Sequence, residues 1–477
     1  MSDRLQSIIN ARGPIRKIGV VGMGYVGIPA AVLFADAPEF KSVLGFQRGS
    51  PSSGYKVDML NRGESPLKGE EPGLEELLAK VVAAGKFRCT SDFSEIAGCD
   101  AVTLAIQTPF ADPKDLIPDF SALIEGLRNV GKHLTEGTLV VLESTVTPGT
   151  TAGMAREILE EESGLVAGEE FALAHAPERV MVGRLLRNIR EHDRIVGGID
   201  EVSTARAVEL YRPVLTTGKI IPMTATAAEV TKTAENAFRD LQIAAANQLA
   251  LHCEAMGVNV YDVRAGIDSL KGEGITRAIL WPGAGVGGHC LTKDSWHLER
   301  GAQVLGGDLW YPHGGESIFG VARKINEFMP EHMVHLTLEG LKRAGKSPKG
   351  ATVVLLGWAF IQNSDDTRNT PAEPYFAALR EAGAEVRVHD PYVDAYPGIE
   401  VSHDLDGTLA GADAVIVFTG HHHYASLDPV RVKELSGEEH PVIVDGRNVV
   451  DPDAFIQAGF VYKGIGRGDK NNHPIRQ

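Results

Sequence analysis

The run Lys17-Ile18-Gly19-Val20-Val21-Gly22-Met23-Gly24-Tyr25-Val26-Gly27, followed by apolar Ile28 to Phe34, decides the reading of the N-terminal third of the chain. Ile18 to Val21 is a short β-branched run that predicts a buried strand, and the apolar residues beginning near Tyr25 predict a helix. Between them Gly22, Gly24 and Gly27 have the spacing G-x-G-x-x-G. The first glycine permits a tight turn, the second lets a pyrophosphate approach the backbone, and the third lets helix pack on strand. The phosphates would rest at the helix N-terminus, where unpaired N–H groups favour an anion. Strand, loop and helix together predict a dinucleotide site.

About twenty residues further on, at the end of a second strand, an acidic side chain usually holds the ribose 2′-hydroxyl of NAD. Here the strand Val43 to Phe46 is followed by Gln47 and Arg48. Gln47 can hydrogen-bond the diol of NAD, which is the reading adopted. A neutral side chain beside an arginine also suits a 2′-phosphate, so NADP stays open as the alternative.

Outward from this loop, apolar runs alternate with helical patterns: Ala101 to Ile106, Thr138 to Leu142, Phe171 to Ala174 and Arg194 to Val196. Continuous apolar strands separated by helices mean a parallel sheet covered on both faces. The alternation stops near residue 205. From about Thr224 a helical stretch free of Gly and Pro runs through Met256, a natural spine or dimer face. After Gly350 the alternation resumes, with Ala351 to Leu356, Glu385 to His389, Ala414 to Phe418 and Pro441 to Val444 as strands. The expected fold is α/β: two Rossmann-like doubly wound domains joined by a long central helix and a helical middle domain. The expected boundaries are 1–205 for dinucleotide binding, 206–345 for the central helical dimerisation domain and 346–477 for the C-terminal domain.

The chain has 477 residues, 47 Lys and Arg against 63 Asp and Glu, and so a formal charge of −16. This excludes a disordered or fibrous protein and argues against nucleic acid or an anionic membrane as partner. No window approaches the roughly 18 apolar residues of a membrane span, and the first sixteen residues do not read as a signal or transit peptide. Four cysteines without regular spacing read as free thiols in a reducing compartment, so a cytoplasmic protein is expected. His421, His422 and His423 are adjacent in one loop and lack a Cys or acidic partner at ligand spacing, and no metal is expected.

One thiol stands apart. Gly285-Val286-Gly287-Gly288-His289-Cys290 places it in a glycine-rich loop followed by Thr292, Lys293 and Asp294. Glycines allow close approach of substrate, and neighbouring cations favour the thiolate. Cys89, Cys99 and Cys253 lack such neighbours and read as core residues.

With these residues quoted, the chain resembles the nucleotide-sugar 6-dehydrogenases that act on UDP-glucose, GDP-mannose and UDP-N-acetylhexosamines. The resemblance also rests on Glu71-Pro72-Gly73-Leu74, Glu143-Ser144-Thr145, Pro148-Gly149-Thr150-Thr151 and Ala176-Pro177-Glu178-Arg179. Further matches are Lys232 with Asn236 and Phe238, Asp365-Asp366-Thr367-Arg368 with Pro371, and Asp445-Gly446-Arg447. It implies a four-electron oxidation at sugar C6 in which Cys290 holds the substrate as a thiohemiacetal and then a thioester. Lys232 and Asn236 would stabilise the oxyanion, Asp294 would act with Lys232 on water, and Thr145 and Glu178 would complete the catalytic group, Glu178 as base in thioester hydrolysis. The cofactor would be held by Gly22, Gly24, Tyr25, Val26 and Gly27, with Gln47, Arg48, Thr108 and Thr145. The substrate would meet Glu178, Arg179, Lys232, Asn236, Arg277 and Gly287, and, in the C-terminal domain, Phe360, Arg368 and Arg447.

Two departures matter. Ile361 stands where family members commonly have Lys, which removes one expected substrate contact. The string from Glu235 to Asn247 and the Gly-Val-Gly-Gly-His-Cys loop look most like the UDP-N-acetylmannosamine and UDP-N-acetylglucosamine branch, whereas Thr292-Lys293-Asp294 is closer to the UDP-glucose and GDP-mannose branches. The resemblance therefore implies a UDP-N-acetylhexosamine 6-dehydrogenase, at least dimeric, with UDP-glucose oxidation or non-catalytic nucleotide-sugar binding as alternatives.

Overall fold

The computed structural model describes residues 2–50, 53–67, 71–112, 116–181, 183–270, 279–306 and 315–474. The chain forms two compact units, Met1–Glu235 with Trp296–Trp310, and Asn236–Ser295 with Tyr311–Gln477. The segment 206–345 is thus shared between them.

The first unit is built on an eight-stranded sheet. Its spatial order is Ile220–Thr224, Arg194–Gly198, Ala172–His175, Leu139–Leu142, Ala101–Leu104, Lys17–Val21, Ser42–Phe46 and Phe87–Thr90. The last six strands are mutually parallel and follow the 3-2-1-4-5-6 order of a doubly wound dinucleotide fold. Strand residues are buried on both faces and alternate between two cores: Leu139, Val141, Ala172 and Ala174 face one, Val140, Leu142, Phe171 and Leu173 the other. Leu5 and Ile9, one turn apart on helix Ser2–Arg12, join the first core.

The sheet is not parallel throughout. Arg194–Gly198 pairs antiparallel with Ala172–His175, and Ile220–Thr224 continues the sheet beyond residue 205. Pro222 in that last strand argues against a strand in the sequence, but an edge position tolerates a residue without an N–H. Phe87–Thr90 was also unforeseen, being short and polar on alternate residues.

The second unit carries six parallel strands in the order Val401–Ser402, Glu385–His389, Thr352–Leu356, Ala414–Val417, Val442–Asp445 and Val461–Gly464, again 3-2-1-4-5-6. Val353 and Leu355 face one core, Val354 and Leu356 the other. The fold class is therefore α/β with two doubly wound sheets. A single helix, Ala225–Ala255, runs for 31 residues, and a second, Ile318–Arg343, for 26 with Pro330 inside it. Among the described residues no helix is long and apolar enough to cross a membrane.

Candidate active site

The glycine loop has the geometry its spacing predicts. Gly22 is left-handed at φ +99°, and a β-carbon on Gly27 would lie 2.0 Å from the Gly22 carbonyl oxygen, so both positions demand glycine. A β-carbon on Gly24 would meet no atom within 4 Å. That open side of the loop, at the start of helix Gly27–Asp36, fits a pyrophosphate. Gly24→Ala is therefore expected to leave thermal stability unchanged while raising the Kd for NAD at least about tenfold. Calorimetric titration beside a melting curve checks this.

Gln47 turns inward: its side-chain carbonyl accepts the Met23 N–H at 3.2 Å, and its amide donates to Ser53 Oγ at 3.1 Å. Lys56 donates to the Met23 carbonyl at 3.0 Å, and burial pushes its pKa down. Arg48 pairs with Glu125 at 2.7 Å on the surface.

At the ends of the two neighbouring strands, the Thr108 hydroxyl donates to the Thr145 carbonyl, and the Ile106 N–H donates to Ser144 Oγ at 2.9 Å. The following turn is gripped by Glu229, whose carboxylate accepts the N–H groups of Gly149 at 2.6 Å and Thr151 at 2.7 Å. Burial, the dominant influence, raises the pKa of Glu229. Glu229 lies three residues before Lys232 on the long helix, a spacing that puts both near one face and that sequence inspection could have used.

Glu178 is buried, as is Lys232. The Glu178 carboxylate pairs with Arg194 and accepts the Arg179 N–H at 3.1 Å. Arg194 also binds Glu143 at 3.0 Å and lies 4.1 Å from the ring centroid of Tyr211, whose hydroxyl donates to Glu143 at 2.7 Å. Glu143 and Tyr211 are both pushed up in pKa, chiefly by burial. The Arg179 guanidinium donates to the Asp193 carbonyl and lies 3.6 Å from Glu235.

His175, at the end of its strand, is fully buried with neither ring nitrogen hydrogen-bonded, and burial, then Arg194 and Lys232, push its pKa down to about 3. Its folded-state pKa lies below the unfolded value near 6.5, so the unfolded chain takes up the proton first as pH falls. Its contribution is full above about pH 6.5 and declines toward pH 3. The stability difference between wild type and His175→Gln should shrink by about 3 kcal/mol from pH 7 to pH 4, read by urea denaturation.

In the second unit Cys290 is an exposed thiol immediately before helix Leu291–Gly306, and its carbonyl accepts the N–H of Asp294 at 2.9 Å. A helix N-terminus favours negative charge. Cys89 and Cys99, by contrast, are buried and pushed up to about 12, consistent with core thiols. Asp294 is fully buried and binds Lys293 Nζ at 2.8 Å and the Asn236 side-chain amide. An amide nitrogen has two hydrogens, so Asn236 keeps a second N–H for another acceptor. His289 is pushed down to about 4, by burial first and by Lys293 and Arg368 next. It is neutral at neutral pH, and the positive charge nearest in sequence to the thiol is that of Lys293.

The glycine loop around Cys290 is stapled to the C-terminal sheet's loops. Gly288 is left-handed at φ +90°, its N–H donates to the Arg368 carbonyl at 2.8 Å, and a β-carbon on it would lie 2.8 Å from the Phe360 ring. Asn369 donates to the Gly288 carbonyl at 3.2 Å. Arg447 donates to the carbonyls of Phe418 at 3.1 Å and Gly285 at 3.3 Å, and Arg368 forms an ion pair with Asp366. Phe360 and Arg447, implied to meet substrate, thus have partners in the cysteine loop itself. Ile361 is exposed, and Arg277 lies outside the described residues.

The histidine run has local partners. His421 accepts the Asn363 N–H at 2.8 Å and lies 3.1 Å from Asp390, and His389 pairs with the Tyr424 hydroxyl at 2.9 Å. Among the described residues no group of three His, Cys, Asp or Glu is placed to hold a metal ion.

A doubly wound sheet with an open glycine cradle, together with a separate exposed thiol flanked by a buried Lys–Asp pair, defines a dinucleotide-dependent oxidoreductase. Residues 16–215, 226–326 and 354–452 match the NAD binding, central and UDP binding domains of the UDP-glucose/GDP-mannose dehydrogenase family, and the chain belongs to that family. It is an NAD-dependent nucleotide-sugar dehydrogenase. It is 36% identical to the UDP-N-acetyl-D-mannosamine dehydrogenase of Pyrococcus horikoshii, covering 95% of this chain and 100% of that one. It is 32% identical to an NDP-N-acetyl-D-galactosaminuronic acid dehydrogenase of Ralstonia nicotianae, over 91% of this chain and 96% of that one. The crystal structure of the enzyme of the latter name from Methanosarcina mazei Go1 is 70% identical, matches with a TM-score of 0.91, and is covered completely by 99% of this chain.

Proposed function

We propose that this enzyme oxidises the C6 hydroxymethyl group of a UDP-N-acetylhexosamine to a carboxylate through a covalent thioester on Cys290. The observation that carries the proposal is the exposed Cys290 thiol at a helix N-terminus, four residues from a buried Asp294 bound by Lys293 and Asn236. Overall, one alcohol, two NAD and one water give one acid, two NADH and protons. When bound, NAD supplies the hydride acceptor for each of the two oxidations. Gly22, Gly24, Tyr25, Val26 and Gly27 hold it, with Gln47, Thr108 and Thr145. Arg48 is a surface residue in this reading, which takes NAD over NADP.

After the first oxidation the Cys290 thiolate adds to the aldehyde carbon, forming a C–S bond and an oxyanion that Lys232 and Asn236 stabilise. The second oxidation converts this thiohemiacetal to a thioester. Water, positioned by Asp294 and Lys232 with Glu178 as base, then breaks the C–S bond, releasing the acid and restoring the thiol. A covalent anchor keeps the aldehyde from escaping between the two oxidations. Arg179, Arg277, Gly287, Phe360, Arg368 and Arg447 would shape the substrate side.

The N-acetylhexosamine class follows from the sequence of the cysteine loop and from what the relatives are named to act on. Those names add a galacto-configured sugar to the manno and gluco forms that the sequence suggested. NADH formation against UDP-N-acetylmannosamine, UDP-N-acetylgalactosamine, UDP-N-acetylglucosamine and UDP-glucose tests it. One N-acetylated sugar should exceed UDP-glucose by at least about a hundredfold in kcat/KM; preference for UDP-glucose would refute it. We also infer a homodimer or larger homo-oligomer, supported by exposed Phe238, Ile318 and Val321, and light scattering gives the mass.

A further inference from the structure

His297 is fully buried in the first unit and lies on helix Leu291–Gly306, seven residues after Cys290. Its Nε2 faces the Thr108 carbonyl at 3.3 Å and its Nδ1 the Thr147 hydroxyl at 3.0 Å. A carbonyl only accepts, so Nε2 carries a proton and donates to Thr108, while Nδ1 shares a hydrogen bond with the Thr147 hydroxyl. The ring is stacked at 4° on Phe120 and edge-on to Phe110, with centroids 5.8 and 4.5 Å away. Both hydrogen bonds and both ring contacts hold the imidazole in one orientation.

The residues so held are the loops that follow strands Ala101–Leu104 and Leu139–Leu142, the fourth and fifth of the 3-2-1-4-5-6 order. In a doubly wound sheet, loops at these strand ends border the second mononucleotide half of the dinucleotide crevice. The same helix face continues the grip. A β-carbon on Gly301 would lie 2.5 Å from Pro148, and one on Gly149 would lie 3.0 Å from Leu305, so His297, Gly301 and Leu305, at i, i+4 and i+8, lie along Thr147 to Gly149.

We propose that His297 is a positioning residue for the dinucleotide: it fixes the Thr108 and Thr147 loops that hold the nicotinamide side, without touching the sugar. The inference rests on the assignment of Thr108 and Thr145 to the cofactor. His297→Phe keeps an aromatic ring but removes both hydrogen bonds, His297→Gln keeps an amide donor and acceptor, and Thr147→Val removes one bond. Steady-state kinetics should show KM for NAD raised at least about tenfold in His297→Phe, with KM for the sugar within about twofold and kcat changed less than KM for NAD. His297→Gln should recover part of the loss, and Thr147→Val should add little to His297→Phe because both act through one contact. Unchanged KM for NAD, or equal rises in both KM values, overturns the proposal. Should His297→Phe fail to fold, Thr147→Val alone decides, through a rise confined to KM for NAD or its absence. Titration of the wild type with NAD separates the two readings: no binding refutes the cofactor assignment, whereas binding that His297→Phe leaves intact refutes only the role of His297.

Discussion

Cys290→Ser is expected to lower uronic acid formation at least about a thousandfold while leaving NAD binding intact. The first oxidation needs no thiol, because an alcohol gives its hydride directly. The second needs a tetrahedral adduct whose hydride can leave, and at neutral pH a serine hydroxyl is a far weaker nucleophile than a thiolate at a helix N-terminus. Replacing sulfur by oxygen in an exposed side chain leaves no cavity, so the variant should melt with the wild type. Mass spectrometry of the product after prolonged incubation is the check. Acid formed near the wild-type rate would remove the covalent step.

Arg194→Ala should have the largest effect on stability, a loss of about 3–5 kcal/mol. The guanidinium sits between the carboxylates of Glu143 and Glu178 and over the Tyr211 ring, and all four side chains are buried. Removing it leaves two buried carboxylates without their cation and opens a void beside Tyr211. Arg194→Met with Glu143→Gln should recover part of the loss, since a pair replaced together strands less charge. Urea denaturation gives the values, and a loss below about 1 kcal/mol would show the network to be energetically idle. On the proposed role of Glu178 as base, Arg194→Ala, which removes the partner of that carboxylate, should also slow thioester hydrolysis in whatever fraction stays folded.

The residues most legible in the sequence are those whose role is local. Gly22, Gly24 and Gly27 announce a turn, and interior strands such as Ala101–Leu104 and Leu139–Leu142 announce themselves because both faces are buried and every residue but Thr103 is apolar. Phe87–Thr90 and Ile220–Thr224 lie at the sheet's two edges, where exposure or Pro222 breaks the apolar run, and so they were not foreseen. The Lys232 and Asn236 spacing was legible as one turn of one helix. The partners were not: Glu229 on the Gly149 turn, Arg194 between two glutamates and His297 on Thr147 join residues far apart in sequence, and no periodicity records such a pairing. Arg447 shows the same limit in another way. Its motif position implied a substrate contact, and the structure adds what a sequence cannot display: its guanidinium also donates to the carbonyls of Phe418 and Gly285, the latter in the loop before Cys290.

The central claim is a double oxidation anchored on Cys290, and its most direct measurement is the number of reduced cofactors formed per sugar consumed. Purified, reduced enzyme with limiting UDP-N-acetylhexosamine and excess NAD should give two NADH for each sugar, with the carboxylate as the product. One NADH per sugar, with an aldehyde released, would contradict the account.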